Sequence, residues 1–181
     1  MTFQDKMAQG IIHLLFNPFH RHKPVDFHNV LNEANTVLIT CPIKDESSIT
    51  PDILKHTLKL FPGKKCHFIC PDDAGTGLAD SSGHHILRLD FSKHNLWNIL
   101  RSEVLKKCSE KNWDIFLDLD SEFNILNAYL TRKLQPTLSI GFQKPYSQKF
   151  LNMEYNSRSA DPYSKKLDGL FNFLQKFLSD R

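Results

Sequence analysis

The sequence has no long hydrophobic run. Its N-terminal apolar stretch, Ile11 to Phe16, is short and interrupted by His13. That is too little for the core of a secretory signal and far too little to span a bilayer. With nothing to send the chain outward, the expected address is a reducing cytoplasm. Cysteine is sparse as well: four in 181 residues do not make a disulfide scaffold in a chain long enough to bury its own core. Excess charge is small, and +3 is too mild to predict nucleic acid as a partner. Internal repeats and low-complexity tracts are missing. At 40% hydrophobic and 24% charged residues, wholesale disorder is excluded.

What is present falls into two units, 1–30 and 31–181. In the first, Phe3, Met7, Ile11 and Leu14 recur near helical spacing, which predicts a short amphipathic helix. The helix should stop at Asn17-Pro18, because a residue before proline is pushed out of the α region. Phe16 and Phe19 flank that break, and a basic connector follows: His20, Arg21, His22, Lys23, then Pro24. An apolar helical face beside a basic stretch suits docking on a protein partner or a peripheral contact with a membrane surface. In this chain that surface would be the cytoplasmic face of the inner membrane. Phe3, Met7, Ile11, Leu14, Phe16, Phe19, Arg21 and Lys23 are the contact candidates. Packing of the helix on its own domain is the competing reading. His13, His20, His22 and His28 have no regular ligand spacing, so no metal is expected there.

From Thr36 onward strand and helix patterns alternate. Thr36 to Cys41 is a short β-branched apolar run, as a buried parallel strand requires. Thr50-Pro51-Asp52 reads as a helix start, with threonine as cap, proline at the first position and an acid in the first turn. That helix closes at Pro62-Gly63. Cys66 to Cys70 is the next strand, ended by Pro71; a loop rich in glycine and aspartate leads to a third, Ile86 to Leu89. A helix from about Leu96 to Cys108 precedes a strand from Trp113 to Leu119. Ser121 then caps a helix to about Leu134. Thr137 to Phe142 and Leu151 to Tyr155 are further strands, and Pro162 to about Leu178 closes the chain as an amphipathic helix. This order predicts one α/β domain of Rossmann-like type, with a mostly parallel sheet flanked by helices.

Motifs that would carry chemistry are weak. Cys66 and Cys70 lie on one face of a strand rather than in a converging loop, and read as small buried hydrophobes. Gly75-Thr76-Gly77 lacks the lysine of a phosphate loop and the third glycine of a dinucleotide fingerprint. His84-His85 shows no ligand set. Asp118 and Asp120 project to one side of their strand and have no obvious partner for paired-carboxylate catalysis. Neither metal nor cofactor is expected.

Three pieces nevertheless resemble glycosyltransferase family 9, the heptosyltransferases, in order and spacing. The first is Val37-Leu38-Ile39 followed by a turn ending in Asp45, then Pro51 and, after the helix, Phe61-Pro62. The second, Trp113-Asp114-Ile115-Phe116-Leu117-Asp118-Leu119, is similar to the family's Asp-hydrophobic-x-hydrophobic-Asp-Leu strand. The third, Ser139-Ile140-Gly141-Phe142, is similar to its Arg-Ile-Gly-Phe. The resemblance covers about Thr36 to Leu178 and implies the N-terminal, acceptor-binding lobe of a two-lobed fold, without the lobe that binds ADP-heptose. By resemblance Asp45 matches the general base on the acceptor hydroxyl. Lys44 stands where the family has glycine, and lysine cannot take that residue's positive φ without strain. Asp45 is therefore expected to be a vestige.

Two function classes follow. One is a non-catalytic accessory or scaffold protein in a larger protein complex, with Tyr146 and Tyr163 in proline-bearing loops as additional interface anchors. A single lobe with an N-terminal extension is similar in plan to an accessory subunit of a green-sulfur-type photosynthetic reaction-centre complex. The other is the acceptor-binding subunit of a split ADP-heptose-type transferase, which would keep Asp45 as base.

Overall fold

A computed structural model of the chain describes residues 10, 25–42, 51–71, 84–89 and 103–179. Its elements are α1 (Phe27–Glu33), β1 (Thr36–Thr40), α2 (Pro51–Leu60), β2 (Lys65–Pro71), β3 (His84–Leu89), α3 (Glu103–Ser109), β4 (Ile115–Asp118), α4 (Ile125–Leu134), β5 (Leu138–Phe142), a 3-10 turn at Ser147–Lys149, β6 (Met153–Tyr155) and α5 (Tyr163–Ser179). The six strands form one sheet in the order β3-β2-β1-β4-β5-β6, and every neighbouring pair is parallel. The predicted α/β class and mostly parallel sheet are what the chain adopts.

The central strands are apolar on both faces because both are covered. Val37, Ile39, Phe68, Ile115, Leu117 and Ile140 share one core with Leu31 of α1, Ile53 and Leu54 of α2, and Leu167, Leu170 and Leu174 of α5. Leu38, Ile69 and Phe116 point the other way, into a core with Leu105 of α3, Trp113, and Leu126 and Leu130 of α4. The result is three layers: helices α1, α2 and α5, the sheet, then α3 and α4.

Three expectations move. The boundary placed at 30/31 falls inside α1, a helix not anticipated; Asp26 caps it by accepting a hydrogen bond from Asn29 N at 3.1 Å, and its Leu31 is fully buried. Ser121 does not cap α4. Asp120 accepts from Glu122 N at 3.2 Å and Asn124 Nδ2 at 3.1 Å, which holds 120–124 as a loop. Asn124 then caps the helix through Leu126 N at 2.9 Å. The strand expected over Trp113 to Leu119 runs from Ile115 to Asp118, with the Trp113 indole N–H donating to Cys108 O at 2.8 Å before it and Leu119 N donating to Thr40 O at 3.1 Å after it.

Candidate functional site at the carboxyl edge of the sheet

Reading outward from β1, the chain adds β2 and β3 on one side, then returns to place β4, β5 and β6 on the other. Strand order reverses between β1 and β4. The crevice beyond the carboxyl ends of those two strands is where open α/β sheets seat ligands. Thr40 ends β1 and stands opposite Asp118, which ends β4.

Asp118 is fully buried and so is the side chain of Lys144, and their Oδ2–Nζ distance is 2.6 Å. Lys144 comes from the loop after β5. Its ammonium also donates to Asp120 O at 2.6 Å. The other carboxylate oxygen of Asp118 accepts from Asn127 Nδ2 at 2.7 Å and from Asp120 N at 3.0 Å. Burial pushes the Asp118 carboxyl up, and the charge and hydrogen bond of Lys144 oppose it. Nearby, the Tyr163 hydroxyl donates to Leu119 O at 2.8 Å. Chemically this is a lock: one cation, two loops and a helix are fastened to a single carboxylate.

The family-like motifs acquire physical roles here. Asp114, the first aspartate of the strand motif, accepts from Asn35 N at 2.8 Å, Thr36 N at 2.9 Å and Thr36 Oγ1 at 3.0 Å. Its partial burial alone would raise its pKa, yet these donors hold it below the usual carboxylate range. It ties the start of β1 to β4, while Asp118 ties the end of β4 to the β5 loop. Gly141 is required by close approach: a Cβ there would lie 2.9 Å from Asp118 O and 3.0 Å from Leu151 Cδ1. Ser139, standing in place of the family's arginine, donates to Phe150 O at 2.9 Å. The Thr40 hydroxyl is different. It is buried, and no hydrogen-bond partner reaches it among the described residues.

Asp45 lies outside the described residues, as do Phe3, Met7, Ile11, Leu14, Phe16, Phe19, Arg21, Lys23 and the loop bearing Gly75 and Gly77. Of the expected interface anchors, Tyr146 is half-buried in the left-handed region at φ 66° with its ring edge-on to Phe123. Tyr163 is half-buried with its ring edge-on to Phe142. Sequence reasoning missed Lys144 and Asn127, which no local motif marks. It also missed a buried thiol pair beside Thr40: Cys41 Sγ and Cys70 Sγ are 3.2 Å apart. Cys66 is buried separately, and burial pushes its thiol up to about 11. No group of three or more metal-binding side chains occurs among the described residues. Nor is any described helix long and apolar enough to cross a membrane.

A second concavity, of about 440 Å³, lies at the opposite, amino edge between α1, α2 and α5, lined in part by Asn32, His56, Lys64, Asp168 and Phe171. Lys64 is held there by Asn32 O at 2.9 Å and Ala34 O at 2.6 Å, so it serves as the cap of α1.

No protein-family model matches the chain, and no curated protein matches it. Solved structures do. A glycosyl transferase family 9 protein from Veillonella parvula superposes with a TM-score of 0.59 at 15% identity, over 81% of this chain and 42% of that one. The E. coli heptosyltransferase WaaC with ADP gives 0.55 at 15% identity, over 76% and 46%. The same enzyme with ADP-2-deoxy-2-fluoro heptose gives 0.53 at 13%, over 78% and 48%. The chain thus spans about half the length of the proteins it resembles. At this identity the likeness is one of fold: an α/β domain like one lobe of a family 9 glycosyltransferase.

Proposed function

We propose that this chain is a non-catalytic accessory protein, a heptosyltransferase-like lobe that serves as a binding surface in a larger protein assembly. One observation carries the reading. At the carboxyl edge, where such folds seat ligands, Lys144, Asp118, Asp120 and Asn127 are engaged with one another, at distances of 2.6 to 3.0 Å for the bonds to Asp118 and Lys144. A charge neutralised inside the protein holds loops in place and is not offered to a substrate. Protein subunits are the proposed partners, with the N-terminal segment as the docking element and the cytoplasmic side of a membrane as the setting. A green-sulfur-type reaction-centre complex, to which the plan of the sequence is similar, is the first assembly to test.

A second reading is favoured by Thr40, whose buried hydroxyl at the strand crossing has no hydrogen-bond partner among the described residues. In that reading the lobe binds the acceptor for a separate donor-binding chain, and Asp45 is the base. Affinity purification from the native host, with ADP-heptose transfer assayed in the recovered complex, separates the two; titration calorimetry of the purified chain with ADP and ADP-heptose tests the accessory reading directly. The accessory reading expects no saturable nucleotide binding. It also expects one stoichiometric complex, retained by Asp45→Asn and lost on deleting residues 1–24. Micromolar ADP-heptose binding by this chain alone overturns it.

A further inference from the structure

Cys41 follows the last residue of β1, and Cys70 is the penultimate residue of β2. The register pairs Thr40 with Ile69, and Cys41 N donates to Ile69 O at 2.9 Å, so the next pair across the two strands is Cys41 with Cys70. Neighbouring strands lie about 4.8 Å apart, which falls within the Cα separation of about 4.4–6.8 Å that a disulfide spans. The sulfurs already stand 3.2 Å apart on the same face. Closing to a bond length of about 2.05 Å requires a further approach of about 1 Å.

The two thiols differ. The hydrogen bond between the two sulfurs lowers the Cys70 thiol, burial opposes this, and the charge of Arg88 adds to the lowering. Arg88 is opposite Cys70 on β3. The same hydrogen bond raises Cys41, and burial raises it further. Both thiols are buried, at 5% exposure for Cys41 and 0% for Cys70, and the Arg88 charge opposite Cys70 is what favours a thiolate there.

We infer that Cys41 and Cys70 form a redox-active dithiol that a hydroperoxide converts to an intramolecular disulfide between β1 and β2. The Cys70 thiolate attacks one oxygen of the peroxide. The O–O bond breaks, hydroxide leaves, and Cys70 becomes a sulfenic acid. The Cys41 sulfur then attacks the Cys70 sulfur, the S–O bond breaks, and the departing hydroxide and the Cys41 proton leave as water. With hydrogen peroxide, two thiols yield one disulfide and two waters, the sulfurs losing two electrons in all. The inference stands independently of the accessory-protein reading.

The test treats the reduced full-length chain with hydrogen peroxide, quenches it, and counts free thiols after denaturation. The expected count falls from four to two, the mass falls by two hydrogens, and the peptide map links Cys41 to Cys70. Dithiothreitol restores all four. Cys66→Ser leaves the crosslink intact, whereas Cys41→Ser and Cys70→Ser abolish it. Phenylarsine oxide, which bridges neighbouring thiols without an oxidant, should bind the reduced wild type one to one and lose that binding in either variant. A wild type that keeps all four thiols, oxidises Cys70 to sulfinic acid without a crosslink, or links a different pair overturns the inference, and needs no variant to fold.

Discussion

Lys144 holds a charge where there is no water to receive it. Its ammonium is neutralised by Asp118 at 2.6 Å, and both side chains are essentially inaccessible. Such a pair adds little compared with an apolar pair of the same shape, but removing one partner leaves the other uncompensated. Lys144→Met should therefore cost about 3 kcal/mol in urea unfolding, and Asp118→Asn with Lys144→Met should cost clearly less than Lys144→Met alone. A single-variant loss below about 1 kcal/mol would show the pair to be dispensable. His67 makes the pH prediction. Its ring lies 4.7 Å from His85 and 5.0 Å from Trp113. Burial, then the charges of Lys111, His85 and Lys65, lower its pKa to about 4. Above an unfolded value of about 6.5 both states are neutral and the contribution is fully present. As pH falls from there toward 4 the unfolded chain takes up the proton first, so stability declines, by about 1–2 kcal/mol once partial solvent access is discounted. Chemical denaturation at stepped pH should show this slope, and His67→Phe should flatten it. Neither residue was legible as important in the sequence. Lys144 stands 26 positions from its partner, and His67 is one of nine histidines.

Elements whose pattern is repeated along the chain were the legible ones. α5 shows one apolar stripe, and Leu167, Leu170 and Leu174 on it are buried. The strands are continuous apolar runs because both faces are covered. α1 was missed because at seven residues it is too short for periodicity to register; only Asp26 as cap and the spacing of Phe27, Val30 and Leu31 mark it. The start of α4 was misplaced because Asp120 and Asn124 compete with Ser121 for the capping role, and a side chain bonded to a loop decides the contest. β5 carries a sharper lesson. Gly141 pairs with Asp118, and the nearest obstacle to a side chain there is backbone, which cannot swing away. Gly141→Ala should cost about 1–3 kcal/mol through displacement of β5 from β4, read as a lowered melting temperature. An unchanged melting temperature would mean that the two strands can separate freely at their carboxyl ends.

At the scale of the whole molecule, hydropathy and the order of elements determined the class. Apolar runs too short to span a membrane, alternating with amphipathic stretches, have few solutions other than a parallel sheet between helix layers. The three short motifs resembled part of a family 9 glycosyltransferase, and the chain's fold is like one lobe of such a protein. What no local pattern contains is which strand lies beside which. Placing β1 between β2 and β4 turned Asp118 into the anchor of a buried lysine, set Thr40 opposite it, and brought Cys41 to Cys70 across 29 positions of chain. Periodicity is a property of neighbours in sequence, so the sequence by itself determined the elements and their class. Ion pairs and thiol contacts are properties of neighbours in space, and only the tertiary structure, by closing loops whose entropy is offset by the burial of the sheet, decided those.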